Sequence, residues 1–211
     1  MNKNNFFYTV IFTFAASFFF VFFLSLADSL TAEKTAANTK ISFYSAFLKS
    51  AGIEFKDKKQ TEKLFQEYFP DAAERVKNDS GEFVKTIKAA VNGEELVLKL
   101  FSGSGLWGTI TGVIAVTPDL ETIKGLEIIS HNETPGLGGR IDEQWFKDQF
   151  RGEKIASPDA AIRVRKGSGG SDADPSNSEV EGITGASLTS ASIQTIVNNV
   201  IAGLEKEGAA K

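Results

Sequence analysis

An α+β fold is predicted, with an N-terminal transmembrane helix ahead of one domain whose antiparallel sheet is flanked by helices. Three observations carry this reading. An uncharged apolar run opens the chain, two pairs of strand-like segments joined by tight-turn residues fill its middle, and a strongly periodic helix lies near its end. Antiparallel pairs with short connections, framed by helices, belong to a meandering sheet rather than to the alternating elements of a parallel α/β fold. The 211 residues, 42% of them hydrophobic, allow one membrane segment and one globular domain with a real core. The organisation expected is an anchor over 1–27, a helical stalk and helices over 28–76, and the domain over 77–211.

The anchor is the segment 6–27, FFYTVIFTFAASFFFVFFLSLA. Its 22 residues carry no charge and hold nine of the 18 phenylalanines. As a helix it would span about 33 Å, enough for a bilayer core. A cleaved signal peptide is the rival reading, although the apolar region of such peptides runs to only about 7–15 residues. Ser25-Leu26-Ala27 before Asp28 offers the small residues that a signal peptidase would need. Lys3 lies on one side of the run and Lys34 and Lys40 on the other, so the distribution of positive charge leaves the orientation open.

Beyond Asp28 the pattern is polar and helical. Phe43, Phe47 and Leu48 share one side of a helix that Gly52 should stop. A second helix follows, in which Thr61 is expected to cap KLFQEYF, burying Leu64, Phe65, Tyr68 and Phe69 before Pro70 ends it. The strands come next. FVKTIKAAV and EELVLKLF flank Asn92-Gly93, a hairpin signal because both turn positions must take positive φ. GTITGVIAVT and TIKGLEIIS flank Pro118-Asp119-Leu120, a second hairpin, and AIRVRKG adds a later strand to the sheet. Gly103 to Gly108 spells GxGxxG, but a strand follows it, whereas dinucleotide binding needs a helix whose N-terminus meets the pyrophosphate. A Rossmann site is therefore rejected, and a bulge or tight turn is the structural reading.

Two stretches remain that carry more than structure. HNETPGLGGR, residues 131–140, is an irregular, glycine-rich loop ahead of a short helix, DEQWFKDQF. EGITGASLTS, residues 181–190, sets Thr184, Ser187 and Thr189 among small residues, directly before a helix with Ile193, Ile196, Val197, Val200, Ile201 and Leu204 on one stripe. Local chemistry alone reads Ser187, Thr189 or Ser190 as a helix cap, at a helix start whose free N–H groups would also suit a phosphate. Between the two stretches, KGSGGSDADPSNSE, 166–179, is a flexible acidic loop by composition.

Composition excludes several functions. With no Cys, disulfides, Cys-ligated metals and Fe–S clusters are ruled out. Lys3 is the only charged residue before Asp28, which leaves 22 basic against 27 acidic residues, so nucleic acid is not an expected partner. His131 is the single histidine; a hydrolase would have to centre on it, and it is given no catalytic role. No metal site and no catalytic residue is expected.

The segment 181–190 resembles the flavin-attachment motif of the FMN-binding subunits of ion-translocating redox complexes: an acidic residue, two spacers, Ser/Thr-Gly-Ala-Ser/Thr, one spacer, and the acceptor threonine. Carried over, Thr184, Gly185, Ala186 and Ser187 form the signal, Leu188 is the spacer, and Thr189 is the acceptor. Glu181 stands where the family more often has Asp. Glu-Thr-Pro-Gly-Leu-Gly, 133–138, resembles the family's other signature, and Gly-Leu-Trp, 105–107, its glycine-rich segment before a strand. The resemblance implies FMN joined through its phosphate to Thr189 by a separate flavin transferase. It implies polar contacts from Glu133 and Thr134, Leu137 packed near the flavin ring, and Gly136 and Gly138 leaving room for it.

The same resemblance implies a single-pass protein of the bacterial inner membrane with its soluble domain on the periplasmic side. There it would relay electrons between multi-span partners in a redox-driven ion translocase. The C subunits of the sodium-translocating NADH:quinone reductases are the kind implied first, the G subunits of Rnf-type ferredoxin:NAD oxidoreductases second, and a free-standing exported FMN carrier third. One span without an intramembrane charge cannot form an ion path alone, which is why partners are expected.

Overall fold

The computed structural model describes residues 6–77 and 86–208, with backbone only over 74–77. Lys3 and the first residues of the FVKTIKAAV segment, 83–85, lie outside the described residues. By its internal contacts the chain divides after Ile41, and Ser42–Lys211 forms one compact unit. Helix α1 runs from Phe6 to Ser50. Its first half is long and apolar enough to cross a membrane, and none of that window is buried. Phenylalanines four apart stack along it, as in the row Phe14, Phe18, Phe22.

The end of α1 belongs to the compact unit and is closed as expected. Gly52 takes φ +77°, Gly52 N–H donates to Lys49 O, and Ile53 N–H donates to Leu48 O, the paired bonds of a Schellman cap. Helix α2, Lys58–Tyr68, starts differently from the expectation. Asp57 is its N-cap, accepting from Gln60 N–H at 2.8 Å, while Gln60 Oε1 accepts from Lys56 N–H. Thr61 lies one turn inside and is buried, its hydroxyl bonded back to Asp57 O. Pro70 does not merely end that helix; it opens α3, Pro70–Lys77, at the first helical position, where its missing N–H costs nothing.

Four strands form an antiparallel meander in chain order: β1 Thr86–Val91, β2 Glu94–Ser104, β3 Thr109–Val116 and β4 Ile123–Ser130. Asn92 and Gly93, at φ 52° and 84°, make the β1–β2 turn. The GxGxxG segment is the β2–β3 turn: Ser104 pairs with Thr109, and Gly105 N–H donates to Gly108 O at 2.7 Å. The later strand expected in this sheet does not join it. Residues Arg163–Arg165, β5, pair in parallel with β6, Glu179–Glu181, a strand too short and too charged to be read from its sequence.

Both faces of the meander are covered, which explains near-continuous apolar runs such as VIAV in β3. One face, through Leu96, Leu98, Val113 and Ala115, packs on the end of α1 and on α2 and α3. The other, through Val97, Ile110, Ile114, Ile123 and Leu126, packs on α4, Gln144–Asp148, and α5, Ser187–Lys206. The stripe read from the sequence of α5 faces this second core: Ile193, Ile196, Val197, Ile201 and Leu204 are buried. Side chains on α5 also hold β5 in place, since Gln194 accepts from Val164 N–H and Asn198 brackets the backbone of Ile162.

Candidate functional site

Three segments far apart in the chain meet at one carboxylate. Glu133 leaves the end of β4 in the loop 131–137 and is 4% exposed. Its backbone N–H donates to His131 Nδ1 at 3.1 Å, so the lone histidine shapes the loop that carries the glutamate. Oε1 accepts from Trp107 N–H, at the β2–β3 turn, at 3.0 Å. Oε2 accepts from the hydroxyl of Thr189, in the first turn of α5, at 2.5 Å. Thr189 is itself 1% exposed.

Glycines make the approach possible. A Cβ on Gly138 would lie 2.5 Å from Thr189 Oγ1 and 2.7 Å from Glu133 Oε2, and one on Gly105 would lie 2.5 Å from Glu133 Oε1. Real side chains do not approach so closely, so tight packing dictates glycine at both positions. Gly136, at φ +74°, has open space where a Cβ would be, which leaves room outside the loop. The 3₁₀ turn Gly138–Asp142 then leads into α4.

The start of α5 departs from the capping expectation. Ala186 is the N-cap residue and no side chain caps the helix. Ser187 and Thr189 are its first and third residues, and Ser190 instead accepts from Ile183 N–H and donates to Ala186 O. The N–H groups of Ser187, Leu188 and Thr189 therefore sit at the open, positive end of a 20-residue helix. Ahead of it, Gly185 takes φ +80°, close to Leu137. Glu181 is buried, its side chain accepting from Ser168 N–H; that bond, with Arg165 nearby, holds its carboxyl below the ordinary glutamate range.

Around this buried polar pair the surface is apolar. Outside α1, the exposed large apolar side chains among the described residues are Leu106, Trp107, Leu137 and Leu188. All four belong to the three converging segments. Leu106 and Trp107 flank the N–H that meets Glu133, Leu137 adjoins Gly138 and Gly185, and Leu188 precedes Thr189. Beside the 181–190 segment, a cavity of about 320 Å³ is lined by Thr184, Gly182, Arg140, Trp145 and residues 169–171. The Arg140 guanidinium lies 5.2 Å over the Trp145 ring.

The 166–179 loop, flexible by composition, is tied down. Asp172 accepts from Arg165 and Asn177, while Gln149 accepts from both Asp172 N–H and Glu181 N–H. Repeated Asx-type bonds, such as Asp174 accepting from Ser176, order a composition that otherwise signals disorder. Beneath it, Glu153 is 1% exposed and its Oε1 has no hydrogen-bond partner among the described residues. Burial pushes its carboxyl up to about 7, with Asp172 and Asp174 adding to the rise.

Of the residues singled out from sequence, Glu133, Gly138 and Thr189 touch, Leu137 and Gly185 adjoin, and Thr134, Gly136, Thr184, Ser187 and Leu188 are exposed around them. Ala186 is buried under the helix start. Leu106 and Trp107 also lie at this meeting point; the resemblance of Gly-Leu-Trp, 105–107, to the family's glycine-rich segment pointed to the turn without giving their side chains a role.

Residues 105–202 match the model of the FMN-binding domain family, a span that takes in all three converging segments. Over those residues, a little under half of the chain, it is similar to the FMN-binding domains of that family. Among its curated relatives, the C subunit of the Na(+)-translocating NADH-quinone reductase of Pseudomonas aeruginosa is 36% identical over 98 residues, 46% of this chain and 38% of the relative. The C subunit from Vibrio anguillarum is 34% identical over 145 residues, 66% of this chain and 53% of the relative. The matched stretch thus spans about half the length of these relatives or less. Two solved structures share the fold: the C subunit from Parabacteroides distasonis, at TM-score 0.63 and 24% identity over 85% of this chain and 96% of that one, and NqrC from Shewanella oneidensis, at 0.64 and 20% over 83% and 100%.

Proposed function

We propose that this chain is a membrane-anchored flavoprotein that carries FMN as a phosphoester on Thr189 and relays electrons as a subunit of a sodium-translocating NADH:quinone reductase. The observation that carries the reading is the ring of exposed Leu106, Trp107, Leu137 and Leu188 around a buried threonine at a helix N-terminus. A flat, largely apolar ring system is the ligand that such a patch suits, and a phosphate is the group that the helix start suits. The match of residues 105–202 to the FMN-binding family and the names of the relatives support it.

The division of labour follows from the residues. N–H groups of Ser187, Leu188 and Thr189 would face the phosphodiester charge at the positive end of α5. Leu137 and Trp107 would lie against the ring, and Gly136 would leave it room. Glu133 fixes the loop against the β2–β3 turn through Trp107 N–H. The bound flavin supplies the electron transfer itself; the protein supplies binding, orientation and electrostatics. Helix α1 anchors the domain in the bacterial inner membrane, with the domain on the periplasmic side, where a flavin transferase would load it and multi-span partners would exchange electrons with it.

The test is Thr189→Val, which keeps the shape and removes the hydroxyl. Coexpressed with a flavin transferase and then denatured, wild type should show yellow-green fluorescence on the protein band and an added FMN mass. Thr189→Val should show neither, while its fold survives a loss of about 1–3 kcal/mol for the buried carboxylate left short of a partner. Covalent flavin on Thr189→Val would put the attachment elsewhere and end this reading. The anchor is checked separately: the mature chain should keep its N-terminal helix and need detergent for extraction, and a soluble chain starting at Asp28 would contradict it.

A further inference from the structure

We propose that Glu133 is a latch on Thr189: the flavin is accepted only when the Glu133–Thr189 contact opens, and Glu133 sets how often that happens. The latch rests on the covalent attachment proposed above and adds a control over it.

The closed arrangement leaves no path for attachment. Thr189 is 1% exposed, its hydroxyl proton is committed to Glu133 Oε2 at 2.5 Å, and Gly138 covers it so closely that even a methyl group would collide. Phosphoryl transfer needs the Thr189 oxygen free and in line with the phosphorus of the donor. The balance of the step is simple. The Thr189 O–P bond forms, the pyrophosphate P–O bond of FAD breaks with its electron pair leaving on AMP, and the hydroxyl proton goes to the departing AMP phosphate or to water. The approach of the donor is blocked while Glu133 and Gly138 enclose the hydroxyl.

The product cannot return to the closed arrangement either. An esterified Thr189 has no proton to donate, so Glu133 Oε2 would face an ester oxygen and an adjacent phosphate charge at hydrogen-bond distance. Opposed acceptors of like charge repel, most strongly where both are buried. Attachment is therefore a one-way release of the Glu133–Thr189 contact. The rest of the segment is arranged for this. Thr184, Gly185, Ser187 and Leu188 are exposed to a visiting enzyme in the closed form, whereas Glu181, Ile183 and Thr189 are buried. Trp107 N–H gives Glu133 a second anchor that survives when Thr189 leaves.

The experiment measures the rate of flavin attachment to the full-length, detergent-solubilised chain by a purified flavin transferase with FAD. Wild type, Glu133→Gln and Glu133→Ala are compared, each first checked for native circular dichroism. Gln keeps the packing and weakens the bond, so attachment should quicken in the order wild type, Gln, Ala, by about tenfold or more for Ala. The gain should fall in kcat/KM for the protein acceptor, with KM for FAD unchanged, because only the open fraction of the acceptor has changed. A natively folded Gln variant that is loaded no faster than wild type, or more slowly, overturns the latch while leaving the attachment site intact. No added FMN mass on any chain after prolonged incubation overturns the covalent attachment and the latch together.

Discussion

The two faces of the β1–β4 sheet are both covered by helices and are finished in opposite ways. On the α1–α3 face an aromatic cluster is closed to solvent: Tyr44 stacks on Phe65 with centroids 3.9 Å apart, Phe47 packs edge-on against Phe65 and Phe69, and all four are at most 1% exposed. On the α4–α5 face the core is mainly aliphatic, and its rim breaks into exposed Leu106, Trp107, Leu137 and Leu188 around the Glu133–Thr189 pair. Buried charges come with α4 and the segment just after it. Lys147 pairs with Glu127 at 2.8 Å, their side chains 8% and 5% exposed, and Glu153 is buried with one oxygen unpaired among the described residues. Tight apolar packing is concentrated where nothing has to happen. Exposed apolar surface and the buried Glu133–Thr189 pair occur together on the other side, where the proposed ligand would be held, as expected when function is carried at the expense of local packing.

Breaking the sealed face should give the largest loss of stability. Phe65→Ala removes the ring at the centre of the cluster and should cost about 3–5 kcal/mol, read from denaturant unfolding. The flavin spectrum of the fraction that remains folded should not change, since that cluster lies on the sheet face opposite the site. A smaller effect of opposite sign is expected on the other face. Glu153 has its folded pKa raised to about 7 from an unfolded value of 4.5, so the folded state holds the proton more tightly and stability falls as pH rises between those values. Glu153→Gln should therefore stabilise the domain by about 1–3 kcal/mol above pH 7 and by little at pH 4. Equal effects of the substitution at the two pH values would show that the buried carboxylate is compensated. The smallest effect on stability belongs to the exposed rim. Leu137→Asp should change stability by no more than about 0.5 kcal/mol, yet, on the function proposed, shift the absorbance and potential of the flavin on Thr189 without preventing its attachment. An unaltered spectrum and potential would remove the 131–140 loop from the flavin site.

Local signals are legible wherever one short segment contains the whole cause. Asn92-Gly93 demands positive φ by itself, Gly52 terminates a helix by itself, and the stripe on α5 follows from spacing alone. The two motif segments are legible too, because small residues and hydroxyls cluster in them densely enough to match a family pattern. Thr61 departs from expectation because the competing cap at Asp57 claims the role first, whereas Pro70 ends α2 as expected and also opens α3.

What the sequence determined by itself was the set of elements: an apolar helix long enough for a membrane, a hairpin-built sheet, an amphipathic last helix, and the two motifs with Thr189 at a helix start. Their meeting was decided only by tertiary structure. Glu133 and Thr189 are 56 residues apart, and neither neighbourhood encodes the other's position. Trp107 joins them through a backbone N–H, a group that every non-proline residue carries and that no sequence pattern marks. The parallel pairing of β5 with β6 and the burial of Glu153 arise in the same way. Hydrogen bonds and burial between distant segments depend on how the layers pack, and that packing is a property of the whole chain rather than of any window within it.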